Sequence, residues 1–174
     1  MEAEVSSTPL ILTLQLEEAA QAHFEGLRQL HFPAARNQIA AHLTLFHTLP
    51  DTAVVRAAVR DVVEASAARG DLSLRVTGLR SLGGGVAYTL ESPELLALHG
   101  ELSRQFAASL SAQDRQRFWP HVVVQNKVAA EQARVLKAEL EESFQPWLVQ
   151  GIGLELWRYL GGPWELAERF AFSG

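Results

Sequence analysis

The sequence predicts an α+β fold of two pseudo-symmetric lobes, each a largely antiparallel sheet backed by helices, with a cleft between them. Three observations lead to it. The chain has 174 residues, 48% of them hydrophobic, which suits one domain with a real core. The order strand, helix, strand, helix, strand runs once through the first half and again through the second. The middle strand of each half carries a histidine, His42 and His121. The expectation is a single domain over residues 1–174, with one lobe at about 9–80 and the other at about 86–172.

Pro9 to Leu16 is short and apolar, as a buried strand is. Ala20, Phe24, Leu27 and Leu30 recur at helical spacing, and Pro33 stops that helix. Gln38 to Leu49 is the next strand, closed by Pro50. Asp51 or Thr52 caps a helix whose stripe is Val55, Val59, Val62 and Val63, with Gly70 at its end. Asp71 to Gly78 alternates cleanly as a third strand. After Gly83-Gly84-Gly85 the order repeats. Val86 to Leu90 is a strand, and Ser92-Pro93 opens a helix to about Leu110. Pro120 to Gln125 is a strand, and a helix from about Ala129 to Ser143 buries Ala133, Leu136 and Leu140. Trp147 to Leu160 is extended, and a turn at Gly161-Gly162-Pro163 leads into a last strand, Trp164 to Phe172.

Composition excludes several function classes. With no Cys, disulfide scaffolds, Cys-ligated metals and thiol catalysis are out. No apolar run has the roughly 18 residues of a membrane span. The acidic, polar start, MEAEVSSTPL, does not read as a secretory signal, so a cytoplasmic protein, acting as a monomer, is expected. The formal charge is −5, with 13 Arg and 2 Lys scattered among 20 acids. Recognition of nucleic acid would therefore be local, at an end or a single phosphate. Gly83-Gly84-Gly85 lacks a following Lys-Ser/Thr, so ATP-driven chemistry is not indicated. No His-x-x-x-His or acidic cluster suggests a metal, no Gly-x-Ser-x-Gly suggests a serine hydrolase, and no cofactor is expected.

The chemistry lies in the two middle strands, Ala41-His42-Leu43-Thr44-Leu45-Phe46 and Pro120-His121-Val122-Val123-Val124-Gln125. Strand alternation puts His42, Thr44 and Phe46 on one face, and likewise His121, Val123 and Gln125. His-x-Thr alone is a common tripeptide. Two histidines at equivalent places in a repeated pattern say more, because facing lobes would bring both imidazoles to one cleft.

HLTLFHTLP and WPHVVVQNKV, with the late WRYLGGPW, resemble the two-histidine phosphoesterase superfamily, and within it the bacterial 2′-5′ RNA ligase or RNA cyclic phosphodiesterase group. The resemblance in element order covers nearly the whole chain, and the specific motifs cover about 25 residues. It implies metal-independent chemistry on 2′,3′-cyclic phosphates or 2′-5′ linkages, with an RNA end or small nucleotide as substrate and each lobe supplying one His-x-Thr/Ser. His42 and Thr44 match the first motif, and His121 matches the second in its histidine only. The resemblance further implies His121 as base and His42 as acid when a cyclic phosphate opens, and the Thr44 hydroxyl as a hydrogen-bond donor to a phosphate oxygen. Imidazole, with an ordinary pKa near 6.5, can serve as either acid or base at neutral pH.

Val123 departs from that pattern. Valine is nearly isosteric with threonine but has no hydrogen to donate. One hydrogen bond to a charged group is worth roughly 1.5–3 kcal/mol, or roughly 10- to 150-fold in rate. Gln125, on the same face, or Lys127 would be the substitute donor. Phe46 is a candidate for stacking on a base, with core packing the equally weighted alternative. Arg117 could meet a phosphate bidentately, but it and Arg115 read first as solvated charges. Trp157, Arg158 and Tyr159 read mainly as core and turn structure, with Tyr159 or Arg158 at the edge of the cleft as the lesser alternative. His47 reads as pointing away from the site, and His23, His31 and His99 as surface or packing residues. The rival readings are a weakened member that binds nucleotide or RNA ends without turnover, and a partner-binding protein on the same fold.

Overall fold

The structure is a computed structural model that describes residues 6–66 and 70–172. The acidic start at residues 1–5 and the expected end of the second helix at 67–69 lie outside the described residues. The elements follow the expected order: β1 (Ser6–Leu16), α1 (Glu18–His31), β2 (Leu43–Asp51), α2 (Ala53–Ser66), β3 (Leu72–Ser81), β4 (Val86–Glu91), α3 (Pro93–Gln105), β5 (His121–Gln125), α4 (Ala130–Glu142), β6 (Trp147–Tyr159) and β7 (Trp164–Ala171). A single 3₁₀ turn, Ala34–Arg36, precedes β2, so the strand starts at Leu43 rather than Gln38. The third helix stops at Gln105, and the chain to Pro120 is turns rather than helix. No helix among the described residues is long and apolar enough to cross a membrane.

All strand pairs are antiparallel, and the order is β2-β1-β6-β3-β4-β5, with β7 also on β6. Exchanging the halves of the chain (β1 for β4, β2 for β5, β6 for β3) reads this order backwards, which is the signature of a pseudo-twofold axis between β3 and β6. β6 serves both sides. Residues 147–151 pair with β3, and residues 151–158 pair with β1. The fold is thus two four-stranded lobes, β2-β1-β6-β7 and β6-β3-β4-β5, joined through one long strand.

The first helix of each half crosses to the other half's sheet. α1 sends Phe24 against Tyr88 of β4 and Trp147 of β6. α3 places His99 flat against Phe46 of β2. The apolar residues of both lobes form one continuous core, including Leu10, Leu12, Phe24, Leu43, Leu95 and Leu154. Burying each such side chain contributes about 1.5–3 kcal/mol, so the two halves stabilise each other. The valine stripe of α2 is buried as its periodicity requires. In α1 the buried line is Ala20, Phe24 and Arg28, four apart, while Leu30 is 77% exposed. The arginine takes the inward position because its charge finds polar partners there. Nε donates to Asn37 Oδ1 (2.9 Å), Nη1 donates to the Val123 carbonyl (3.2 Å), and the guanidinium lies 4.0 Å from the Phe32 ring centre.

Both histidine strands carry a one-residue bulge at the same place. On β2, Thr44 faces Thr13 and Phe46 faces Leu12, leaving Leu45 extra. On β5, Val123 faces Ala87 and Gln125 faces Val86, leaving Val124 extra. A bulge shifts the alternation by one. Leu45 and Phe46 both enter the core, as do Val124 and Gln125. Gly85, beside the β5 bulge, is where the backbones approach most closely, and a Cβ there would collide with the Gln125 carbonyl and the Asn126 backbone. Gly85→Ala is therefore expected to lose about 2–3 kcal/mol in urea unfolding, because backbone cannot rotate away as a side chain can. An unchanged midpoint would show that β5 yields freely at this point.

Candidate active site

His42 lies one residue before β2, and His121 opens β5. Their local geometry is the same. His42 Nδ1 is 2.8 Å from the Ala40 carbonyl, and His121 Nδ1 is 2.8 Å from the Trp119 carbonyl. A carbonyl oxygen only accepts, so each Nδ1 carries the hydrogen and, in the neutral ring, each Nε2 carries the free lone pair. Among the described residues neither Nε2 has a hydrogen-bond partner. Each ring also rests on a tryptophan. Trp119 stacks on His121 at 3.6 Å between ring centres, and Trp164 lies tilted over His42 at 4.6 Å. Arg80 covers the other face of Trp119, 4.3 Å from its centre.

Both imidazoles are harder to protonate than in water. Burial is the main cause for His42, with Arg28, His121 and His47 adding repulsion against the bond to Ala40, and its pKa falls to about 4. His121 is also lowered, chiefly by burial, with His47 and Arg80 adding repulsion. The two histidines are close enough for the charge of His121 to act on His42.

A cavity of about 210 Å³ lies at His121, lined also by Thr44, His47, Arg117 and Trp119. His42 opens onto a cleft of about 740 Å³, with Thr13, Trp157 and Trp164 in its walls. Thr44 and Val123, both half-buried, occupy equivalent positions two residues after their histidines. Phe46 and Gln125, expected on the same face, are turned into the core by the bulges and are 0% and 2% exposed. Phe46 packs on His99 and Phe106, and the Gln125 side-chain oxygen has no hydrogen-bond partner among the described residues. Lys127 is exposed past the end of β5.

Sequence alternation misplaced His47. The bulge at Leu45 brings it back to the face of Thr44, into the cavity with His121. Its partner, Asp114, comes from the irregular segment after α3 and could not be paired with it by spacing. The Asp114 carboxylate, 1% exposed, accepts from the His47 amide (2.8 Å), the Thr48 amide (3.0 Å) and His47 Nδ1 (3.0 Å). Burial raises the Asp114 pKa, but these bonds outweigh it, and the carboxyl sits below its ordinary 3.8. Trp157, read as core and turn, and Arg117, read as a solvated charge, line the two cavities.

Residues 16–163 match the 2′-5′ RNA ligase superfamily. The chain belongs to this family. No curated protein matches it. Among solved structures, TT0787 of Thermus thermophilus superposes with a TM-score of 0.59 at 17% identity, over 95% of this chain and 98% of that one. E. coli LigT complexed with NADP+ gives a TM-score of 0.57 at 18% identity, over 96% and 99%. E. coli LigT complexed with 3′-AMP gives a TM-score of 0.56 at 19% identity, over 94% and 97%. At these identities the likeness is one of fold, and the protein is an enzyme-type scaffold of the phosphoesterase kind by family membership.

Asp114→Ala leaves two amides and a ring nitrogen without their acceptor and is expected to cost about 1–3 kcal/mol in urea unfolding. Asp114→Asn, which keeps one acceptor oxygen, should recover part of it. The carboxylate's contribution is complete above pH 3.8 and is lost as pH falls through the lower folded pKa, because the unfolded chain takes up the proton first. A gap between wild type and Asp114→Asn that persists unchanged at pH 2 would contradict this account.

Proposed function

We propose that the protein hydrolyses a cyclic phosphodiester, an RNA 2′,3′-cyclic phosphate or a related 2′-5′ linkage, with His42 and His121 as the acid–base pair and no metal. It works as a single two-lobed domain and a monomer, on RNA ends or small nucleotides in the cytoplasm. The observation that carries this is the duplicated imidazole. Each half presents one Nε2 with its Nδ1 hydrogen fixed on the carbonyl two residues earlier. The LigT complexes with 3′-AMP and NADP+ support a nucleotide as the ligand class.

The reaction needs two proton transfers on opposite sides of one phosphorus. One Nε2 takes a proton from water as its oxygen bonds to phosphorus. The other Nε2 gives a proton to the ribose oxygen as its bond to phosphorus breaks. The product is a phosphomonoester, 2′ or 3′ according to which oxygen leaves. Thr44 donates its hydroxyl to a non-bridging oxygen, and His47, held by Asp114, borders the same cavity. The family resemblance favours His121 as the base and His42 as the acid when a cyclic phosphate opens. Desolvation ranks the free protein the other way, with His42 the harder to protonate. The roles exchange between hydrolysis and ligation, so the reading depends on the pair.

Binding without turnover is the second reading, and Val123 favours it. Its side chain cannot donate, and its carbonyl is already taken by Arg28.

The test is product analysis of a short RNA ending in a 2′,3′-cyclic phosphate, with chelator present. His42→Ala and His121→Ala should each lose at least about a hundredfold in kcat/KM, the scale of a positioned acid or base. Val123→Thr should raise it by about tenfold, the low end of one charged hydrogen bond. Tight binding of the RNA by wild type with no phosphomonoester formed would favour the second reading.

The pH profile offers a separate check. One imidazole must be neutral and the other protonated, and both free-protein pKa values lie below 6.5. The optimum of kcat/KM should therefore fall on the acid side of pH 6.5, while that of kcat, with the anionic phosphate bound, should lie higher. A kcat/KM optimum above pH 7 would rule out this pair as the titrating groups.

A further inference from the structure

The pseudo-twofold axis relates two clefts as well as two histidines. Each has a volume of about 740 Å³. One, at His42, lies between β1, β6 and residues 38–42. The other, against Trp119 beside His121, lies between β4, β3 and residues 117–120. Several positions of their walls correspond, as the strand register shows. Thr13 of β1 pairs with Glu155 of β6, and Ala87 of β4 pairs with Arg80 of β3. Gln38 and Arg117 both stand four residues before their histidine, and Ala40 and Trp119 two before.

The clefts are therefore an internal comparison, and their charge is opposite. The His42 cleft has Glu18, Glu25 and Glu155 in its walls, with Arg169 bonded to Glu155 at 2.7 Å. The other has Arg80 and Arg117 against Glu91 alone. Neither guanidinium has a carboxylate partner among the described residues. Arg117 also borders the cavity that holds Thr44, His47 and His121, so it stands where that cavity meets the cleft. Both faces of Trp119 are occupied, by His121 and Arg80, so a base has no open face of this ring to stack on. The planar fork of each arginine can still accept a phosphate edge-on.

We infer that the cleft lined by Arg80 and Arg117 is a subsite for the phosphodiester backbone next to the reacting phosphate, so that the substrate is an oligoribonucleotide end rather than a mononucleotide. This rests on the proposed function for the identity of the reacting group. The strand leaves the site over the His121 lobe, away from the carboxylates of the His42 cleft. Contact is with phosphates, so base order matters little there.

The experiment is fluorescence anisotropy of labelled hexaribonucleotides ending in a 3′-phosphate, with adenosine 3′-monophosphate as unlabelled competitor. Wild type, Arg117→Gln, Arg80→Gln and the double variant are compared, with folding checked by circular dichroism. Wild type should hold the hexamer at least about tenfold more tightly than the mononucleotide at low salt. The slope of log affinity against log salt should be about 0.7 for each arginine–phosphate contact. Each single variant should remove about one such contact from the slope, and the double variant should bring the hexamer close to the mononucleotide. Equal affinity for hexamer and mononucleotide in wild type, an unchanged slope in both single variants, or a tenfold preference among hexamers of different base order would overturn the inference. Hydrolysis of the matching cyclic-phosphate substrates by wild type is followed in parallel. Arginine-dependent strand binding without hydrolysis would sink the hydrolytic reading and leave the subsite. Hydrolysis with equal kcat/KM on hexamer and mononucleotide would do the reverse.

Discussion

The bulges at Leu45 and Val124 set the geometry on which the site depends. Without them, β2 and β5 would alternate through their length, and Phe46 and Gln125 would face the cleft. With them, His42 and Thr44 keep the open face while the next two residues both turn inward. Phe46 can then stack on His99 of α3, tying β2 to the helix that crosses from the other half. His47 returns to the open face, where its amide and ring meet Asp114. A one-residue irregularity thus resets the direction of the side chains that follow it. The same device in both halves keeps the two histidines equivalent, and Gly85 provides the room that the second bulge needs.

Equivalence matters to the proposed reaction, because in-line displacement at phosphorus needs one proton acceptor and one proton donor on opposite sides. Two copies of one local structure related by a twofold axis meet that need directly. Each ring is oriented by a single bond from Nδ1 to its own backbone, which costs little chain entropy to hold. The surroundings then set protonation. Burial and the nearby Arg28, Arg80 and His47 all disfavour the imidazolium in the free protein. In the proposed reaction an anionic phosphate would reverse that balance on entering, so that the acid's proton would be stabilised only with substrate in place. Arg28 contributes twice. It repels a proton on His42, and its bond to the Val123 carbonyl ties α1 to the strand that carries His121.

The sequence made the elements legible because periodicity is local. The valine stripe of α2, the alternation of β3 and the proline and glycine stops all report on the residues that contain them. The repeat was legible for the same reason. Strand exchange was not, because nothing within Trp147–Tyr159 shows that its first third pairs with β3 and the remainder with β1. Leu30 looked like core because it fits the helical spacing, and Arg28 did not because its partners, Asn37 and the Val123 carbonyl, are distant in sequence. His42, Thr44 and His121 could be picked out as a motif, whereas His47 required knowledge of the bulge and Asp114 required the path of an irregular segment. Residues that act through the backbone of another element leave no trace in spacing.

A duplicated site also frees the copies to diverge. The atoms that must match are few: one Nε2 on each side and the carbonyl that orients it. Those are the atoms the two halves share, at the same 2.8 Å. The neighbouring positions differ: Thr44 against Val123, Ala40 against Trp119, Gln38 against Arg117, and Glu155 against Arg80. Each change leaves the imidazole in place and alters what surrounds it. The His121 side gains a stacked cation and loses a hydroxyl, while the His42 side keeps the hydroxyl and gathers carboxylates. A substrate whose two ends differ, with a polyanionic strand on one side of phosphorus and water on the other, can be oriented by that contrast. A symmetric pair of acid–base groups could not distinguish the two directions. On the proposed reading, the fold supplies the symmetry that the proton transfers need, and the few positions around each histidine supply the polarity that a strand would require.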